Sequence, residues 1–425
     1  MNDSSSLPTS TRAAPERVFS GRDQAALWFS LGVGLLVMQT GAYLAPAVGA
    51  RQALWVTVLG SAVGSGLLAW VAWLACASRR SSAQLMHVVY GSGFARLPVL
   101  LNVLQLIGWS TFELVIMRDG TRAIVSHSYG VEIGVVWPTL FWGVVALLMI
   151  RTSMLTLVRR VIGKIGLPLV IVSLLWLSYQ FGVKLDDAGW HALWQGTGDG
   201  SMNAFQALDL VIAMPVSWLP LVADYARHSR TGRGAFAGTW IGYGVANVWC
   251  YALGVLVVAV IGNDADHFVD LLLFAQGGLV ALGLILVDEL DNNYGDLYSA
   301  SVSAQSVWRR VSVHTWGTVL AVLSMAFAMV LPMHSLEPFL LLLSSVFVPL
   351  FGVMLGWLLW RPERVEASVI GVRWAPAAVW LIGIGVYHGL AQWAPELGSA
   401  LPTLALTFVL ARVAVRMEVV RWHAA

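Results

Sequence analysis

The sequence predicts an all-α protein that crosses a bilayer about twelve times, and three observations carry that reading. Only 11% of the 425 residues are charged while 58% are hydrophobic, against about 25% charged in an ordinary soluble domain. Apolar runs near the roughly 20 residues that a helix needs to cross hydrocarbon recur along the whole chain. The basic residues then fall almost entirely on one side of those runs.

The expected spans lie near residues 25–48, 52–75, 97–117, 133–150, 161–181, 203–223, 234–261, 277–303, 311–331, 335–360, 374–393 and 398–415. With the N-terminus inside, only Arg51, Arg118, Arg122 and Lys184 of the 25 Lys and Arg residues fall outside. Translocating arginine is unfavourable, and a miscounted span would invert every later loop, so this alternation tests the count independently. Residues 1–22 are polar and lack the short apolar core of a cleavable signal. They are expected to form a disordered cytoplasmic tail ahead of a single membrane domain over 23–425. The loops, of about 20 residues at most, leave no room for a separate soluble domain. Two of them, 81–96 inside and 182–201 outside, are expected to carry short surface helices.

Cys76 and Cys250 both sit in apolar runs, so no disulfide framework is implied. No GxxxxGK[ST] loop is present, which argues against a self-contained ATP-driven pump, and no HExxH or paired Cys/His pattern marks a metal enzyme. No nucleophile–base constellation can be assembled. Neither catalysis, a covalent cofactor nor a nucleic-acid partner is therefore expected. The expected setting is the lipid bilayer of the inner (plasma) membrane, with both termini cytoplasmic.

Inside a membrane the informative residues are those most costly to place there. An ionisable side chain at mid-bilayer costs about 2.5–3.5 kcal/mol or more, so it normally faces a cavity or a partner. The third span reads LPVLLNVLQLIGWSTFELVIM. Asn102, Gln105, Trp109 and Glu113 recur at three- or four-residue steps and share one helical face. That stripe reads either as polar glue between helices or as a binding face, with Trp109 stacking on a flat ligand and Glu113 bonding its edge. The carboxyl group favours the second. In the eighth span, VDELDNNYGDLYSASVS places Asp288, Asp291 and Asn292 at i, i+3 and i+4, with Asp296 one further turn on. Several oxygens on one face suit a hard cation. The apolar run 277–287 before them is too short to cross alone, so the acidic stretch is expected within the membrane.

Two spans carry helix breakers. The first holds Gly32, Gly34, Met38-Gln39-Thr40-Gly41 and Pro46; the sixth holds Met214-Pro215-Val216-Ser217-Trp218-Leu219-Pro220. Proline removes a backbone donor and clashes with the preceding turn. Either alone reads as a harmless kink. They lie five spans apart, however, at matching places in two candidate five-helix halves, and matched interruptions point to a transporter's midplane site. The halves cover about 25–181 and about 203–360, with two extra helices at about 374–415. Asp224 and Arg227 read as a structural or gating cluster at the inner end of the sixth span. Asp209 is expected near its outer mouth.

The segments IGW in the third span, WLPLVADYAR after the sixth break and DNNYGDLYSASVS in the eighth together resemble the nucleobase:cation symporter-1 family. Its members are permeases for cytosine, purines, uracil, allantoin, hydantoins and thiamine-related pyrimidines. The tenth-span SVFVPLFGVMLGWLL fits as well, and the resemblance runs from about Phe19 to the last span. WFSLGVGLLVMQTGAYLAP and LLNVLQLIGWSTFE look like the hydroxymethylpyrimidine (thiamine-precursor) transporter subgroup. The resemblance implies a LeuT-like fold, with two inverted five-helix repeats, broken first and sixth helices and two additional helices. It implies a stacking tryptophan at Trp109, Glu113 in place of a glutamine, and Gln39 as a polar site residue beside the first break. It further implies a sodium ion held by backbone oxygens of Leu35 and Met38 and by Asp288, Asp291 and Asn292. Met214, Ser217, Trp218 and Asp296 complete the expected ligand contacts. The chain departs from the family in two places. The second stacking aromatic falls near Pro215, three residues before Trp218. Relatives carry small or hydroxyl residues where this chain has Asp288 and Asp291, which suits tighter sodium binding or a proton instead.

Glu113 narrows the ligand. A 4-aminopyrimidine edge offers an exocyclic N–H beside a bare ring nitrogen, and a protonated carboxyl donates to the nitrogen while accepting from the amine. The expected activity is import of an aminopyrimidine, hydroxymethylpyrimidine before cytosine, by cation symport and alternating access. The open alternatives are a cytosine or other nucleobase permease, proton in place of sodium coupling, and an amino-acid transporter of the same fold.

Overall fold

The computed structural model describes residues 16–152, 164–262, 268–331, 336–359, 361 and 371–424. Residues 1–15 of the expected tail, the start of the fifth span, Ser335 and Trp360 lie outside the described residues. The rest of the tail is ordered rather than loose. Val18 and Phe19 donate backbone N–H groups to the His228 carbonyl, Arg230 donates to the Phe19 carbonyl, and the Phe19 side chain is buried. Ser20 and Asp23 then form a reciprocal cap that starts the first helix at Gly21.

The first span consists of α1 (Gly21–Ser30) and α2 (Leu35–Val48), bent by 62° across a four-residue break. α3 (Ala50–Ser78), α4 (Ser82–Tyr90), α5 (Arg96–Tyr129), α6 (Val136–Met149), α7 (Leu167–Gly182) and α8 (Asp187–Gln195) follow. The sixth span divides into α9 (Ala204–Ser217) and α10 (Leu219–Ala226) at the single residue Trp218, a milder interruption than the first. The chain continues through α11 (Gly232–Ile261), α12 (Phe268–Leu272), α13 (Gly278–Val307), α14 (Val313–Val330) and α15 (Leu336–Leu358). It ends with α16 (Trp374–Trp393) and α17 (Ala400–Ala424). Among the described residues, 9 helices are long and apolar enough to cross a membrane, and the bent α1–α2 pair adds another. α6, at 14 residues, and α13, interrupted by its acidic stretch, fill the remaining expected places.

Three spans of the first half pack on the one five places later. The second lies on the seventh (α3 on α11), the third on the eighth (α5 on α13) and the fourth on the ninth (α6 on α14). α1, α2, α9 and α10 join the α3–α11 pair, while α16 and α17 pack outside against α15. Small residues permit the closest of these crossings. A Cβ on Gly41 would overlap the Tyr251 carbonyl, and one on Gly254 would overlap the Met38 carbonyl, so α2 and α11 meet backbone to backbone. Trp137, Trp374 and Trp393 stand exposed at helix ends, as an interfacial aromatic belt requires.

Both expected loop helices form, as α4 and α8. α4 is not a surface helix, however. Leu85, Met86, Val88, Val89 and Tyr90 are all buried, and α4 packs against α10, α13 and α15. Its apolar face was masked in the sequence by its brevity.

Candidate functional site

The break in the first span falls at Leu31–Gly34, on the Gly32 and Gly34 of the expected breakers and one turn before Met38-Gln39-Thr40-Gly41. Gly34 is extended (φ −176°, ψ 151°) and stands at the N-terminus of α2. A helix start leaves backbone N–H groups without intrahelical partners. Here the Glu289 carboxylate of α13 accepts from the Leu35 N–H at 2.6 Å. Asn292 donates its amide to the Val33 carbonyl at 3.1 Å and to the other oxygen of Glu289 at 3.2 Å. Ser30, at the end of α1, donates its hydroxyl to Asp288 at 2.9 Å and to Asp291 at 3.4 Å. The acidic stretch of α13 therefore binds both sides of the break.

Leu35 and Met38, the expected backbone ligands of a cation, lie in the first four residues of α2. Leu35 presents its N–H to Glu289, and the Met38 carbonyl faces Gly254 of α11. Within the break the Gly34 carbonyl accepts from the Met38 N–H and the Val33 carbonyl from Asn292, which leaves the Leu31 and Gly32 carbonyls without a donor among the described residues. Asp288, Asp291 and Asn292 do gather there. Asp288 Oδ2 and Asn292 Oδ1 are buried with no hydrogen-bond donor among the described residues, and hard cations take such oxygens. No group of three or more His, Cys, Asp or Glu side chains forms a metal site among the described residues. A cation held here would use amide and backbone oxygens as well as carboxylates.

The polar stripe of α5 divides in two. Asn102 donates to Ser303 at 3.0 Å, and Gln105 donates to Asn102 and to the Ser217 carbonyl, both at 3.0 Å. These two residues tie α5 to α13 and to the end of α9, which is the glue reading. One turn on, Trp109 is buried with its indole N–H unpartnered, its ring 5.3 Å from that of Phe339 at 74°. Glu113 lies another turn along and faces Asp296 of α13, the two carboxyls within hydrogen-bond reach of each other. Asn293 sits between them and Ser110, donating to the Ser110 carbonyl and hydroxyl at 3.1 and 2.9 Å. Gln39 on α2 donates to the Tyr43 hydroxyl at 3.3 Å.

In the sixth span the Ser217 hydroxyl turns back to the Met214 carbonyl at 2.7 Å. Trp218 packs edge-on against Trp28, with ring centroids 6.2 Å apart, and lies beside Gly295 of α13. Met214, Ser217 and Trp218 are buried. Asp224 accepts from the Ser82 N–H at 3.2 Å and from the Ser299 hydroxyl at 2.6 Å, joining α4, α10 and α13 as a structural cluster near the C-terminal end of α10. Asp209 caps the start of α17 through the Ser399 and Ala400 N–H groups. A cavity of about 370 Å³ opens beside it between α9, α15 and α16, lined among others by Glu337, Tyr387 and His388. None of the expected ligand contacts lines that cavity.

Five acidic side chains thus lie buried at the centre: Glu113, Asp288, Glu289, Asp291 and Asp296. Among the described residues the ion pairs are Arg118–Asp119 and Arg122–Asp119 toward the C-terminal end of α5, so none of the five is paired with a basic residue. Glu289, Ser30, Asn293 and Phe339 are absent from the sequence-derived site. Glu289 carried the signal of any intramembrane carboxyl but stood off the i, i+3, i+4 face. Ser30 and Phe339 carried none.

No family model and no curated relative matches the sequence. Solved structures do. Mhp1, a nucleobase-cation-symport-1 family transporter in a closed conformation with bromovinylhydantoin bound, superposes with a TM-score of 0.80 at 16% identity, over 98% of this chain and 95% of that one. The inward-facing conformation of Mhp1 gives 0.76 at 17% identity, over 100% and 96%. A substrate-bound, outward-open Na+-coupled sialic acid symporter gives 0.65 at 11% identity, over 94% and 90%. The neighbours are transporters rather than enzymes, and this chain is a multi-pass membrane protein with their LeuT-like fold.

Proposed function

We propose that this protein is a secondary active transporter of the plasma membrane, both termini cytoplasmic, that imports a small aminopyrimidine together with a cation. Hydroxymethylpyrimidine is the first substrate and cytosine the second. The observation that carries this reading is the position of Glu113, buried beside Trp109 and facing Asp296 at the crossing of α5 and α13. Trp109 supplies a flat apolar face for a heteroaromatic ring. Glu113 supplies a carboxyl edge that pairs with the amino group and the adjacent ring nitrogen of an aminopyrimidine. Asp296, Gln39, Met214, Ser217 and Trp218 close the remaining sides. That a structural neighbour binds bromovinylhydantoin, a flat heterocycle, supports this reading.

The coupling cation, sodium first and a proton as the alternative, is placed at Asp288, Asp291 and Asn292 against the broken first span. Its binding orders the segment between α1 and α2, the ordered segment completes the ligand site, and each ligand strengthens the other. Movement of the α1–α2, α3, α9–α10 and α11 bundle against α5 and α13 then exposes the site inward. The amino-acid reading of the same fold is disfavoured by one observation. An amino-acid carboxylate would need the free N–H groups at the start of α2, and the Leu35 N–H is already held by Glu289. Substituting Glu113→Gln tests the reading. The variant should lose about tenfold or more in aminopyrimidine affinity and gain relative affinity for uracil. Unchanged affinity and unchanged preference would sink it.

A further inference from the structure

The carboxyls of Glu113 and Asp296 lie within hydrogen-bond reach of each other, at 2% and 1% exposure. Glu113 Oε2 and Asp296 Oδ2 have no donor among the described residues. Neither carboxyl forms an ion pair there. Two carboxylates in such contact cannot both be ionised, and one proton between them satisfies both. A second observation points to a missing donor at the same place. Asn293 is fully buried, donates its amide to Ser110, and its Oδ1 has no donor among the described residues. The other titratable groups facing the pair are Glu289 on α13 and Tyr225 on α10, neither of which brings positive charge.

A pair holding one proton keeps one negative charge. Resting on the transporter reading above, we propose that Glu113 and Asp296 retain one shared proton through the cycle and take a second only with the substrate. Each aminopyrimidine then enters as its monocation. The balance is simple. A proton from outside adds to the neutral ring nitrogen, and one N–H bond forms. That N–H donates to the Glu113 carboxylate while Asp296 keeps the resident proton as an O–H. The charge of the loaded site is zero. On the cytoplasmic side the substrate and one proton leave, and the shared O–H···O bridge re-forms. The site discriminates by charge as well as by edge: a neutral uracil leaves the pair's negative charge uncompensated.

Proteoliposomes containing the full chain and a luminal pH dye test this, with hydroxymethylpyrimidine as the probe. The expected result is luminal acidification of about one proton per substrate, with or without sodium, abolished in the double variant Glu113→Gln/Asp296→Asn even where some uptake remains. Uptake with no acidification would overturn the proposal. If no pyrimidine is taken up, the transport reading fails, and infrared spectroscopy decides on the shared proton alone. A protonated-carboxyl C=O band lost in both Glu113→Gln and Asp296→Asn supports it; the absence of that band in the parent protein overturns it.

Discussion

Glu289 offers the sharpest test of how the broken first span is held. Its carboxylate accepts from the Leu35 N–H at 2.6 Å and from the Asn292 amide at 3.2 Å. In Glu289→Ala the Asn292 amide retains the Val33 carbonyl, so the Leu35 N–H is the donor left unsatisfied. A buried donor without a partner costs about 1–3 kcal/mol. Loss of an anion at a helix N-terminus adds about 0.3–1 kcal/mol. Local opening of the break should therefore become about 10- to 1000-fold easier, at tenfold per 1.4 kcal/mol. Hydrogen–deuterium exchange reads this directly, as faster exchange confined to the peptide around residues 31–38. Glu289→Gln keeps an acceptor and should fall between parent and alanine variant. Unchanged exchange at the break in Glu289→Ala, or an equal rise across all helices, would refute the assignment.

Other expectations follow from the same geometry. Trp109→Ala should weaken pyrimidine binding by about 1–3 kcal/mol, the usual worth of an aromatic stack on a base, measured by isothermal titration on folded variant. Gly254→Ala forces a methyl group into the Met38 carbonyl and should cost about 1–3 kcal/mol, seen as a lower Tm and weaker cation binding. His228, in the loop after α10, is held down to about 4 by burial and by the neighbouring Arg227 charge. It stays neutral when folded but charges near its ordinary value when released. The dock between residues 16–20 and 228–230 should therefore loosen as pH falls from about 6.5 toward 4. Limited proteolysis after Arg17 should accelerate over that window, and less so in His228→Phe.

Much of the fold was legible because lipid imposes simple rules. Apolar length and arginine placement located the spans, and the matched breakers located the first and sixth interruptions. What escaped notice depends on contacts between distant segments. Gly32 and Gly34 marked the break, but no local pattern encodes that α13 supplies Glu289 and Asn292 to hold it. Helical periodicity grouped Asp288, Asp291 and Asn292 yet passed over Glu289, the residue that holds α2. The α5 stripe was read as one face with one role. Asn102 and Gln105 instead serve packing, because their partners Ser303 and Ser217 lie on the facing helices, while Trp109 and Glu113 remain for a ligand. Trp218, expected among the ligand contacts, packs edge-on with Trp28.

The central claim is that an aminopyrimidine and a cation bind together at α5 and α13 beside the broken first span. The most direct measurement is equilibrium binding of hydroxymethylpyrimidine, cytosine, uracil and thiamine to the purified protein, with and without sodium, across a pH series. The account predicts that hydroxymethylpyrimidine binds most tightly, cytosine next and uracil weakly. It predicts that sodium raises affinity by about 5- to 150-fold, the usual range for coupled sites. Binding of none of the four, or equal binding of uracil and hydroxymethylpyrimidine under every condition, would contradict it.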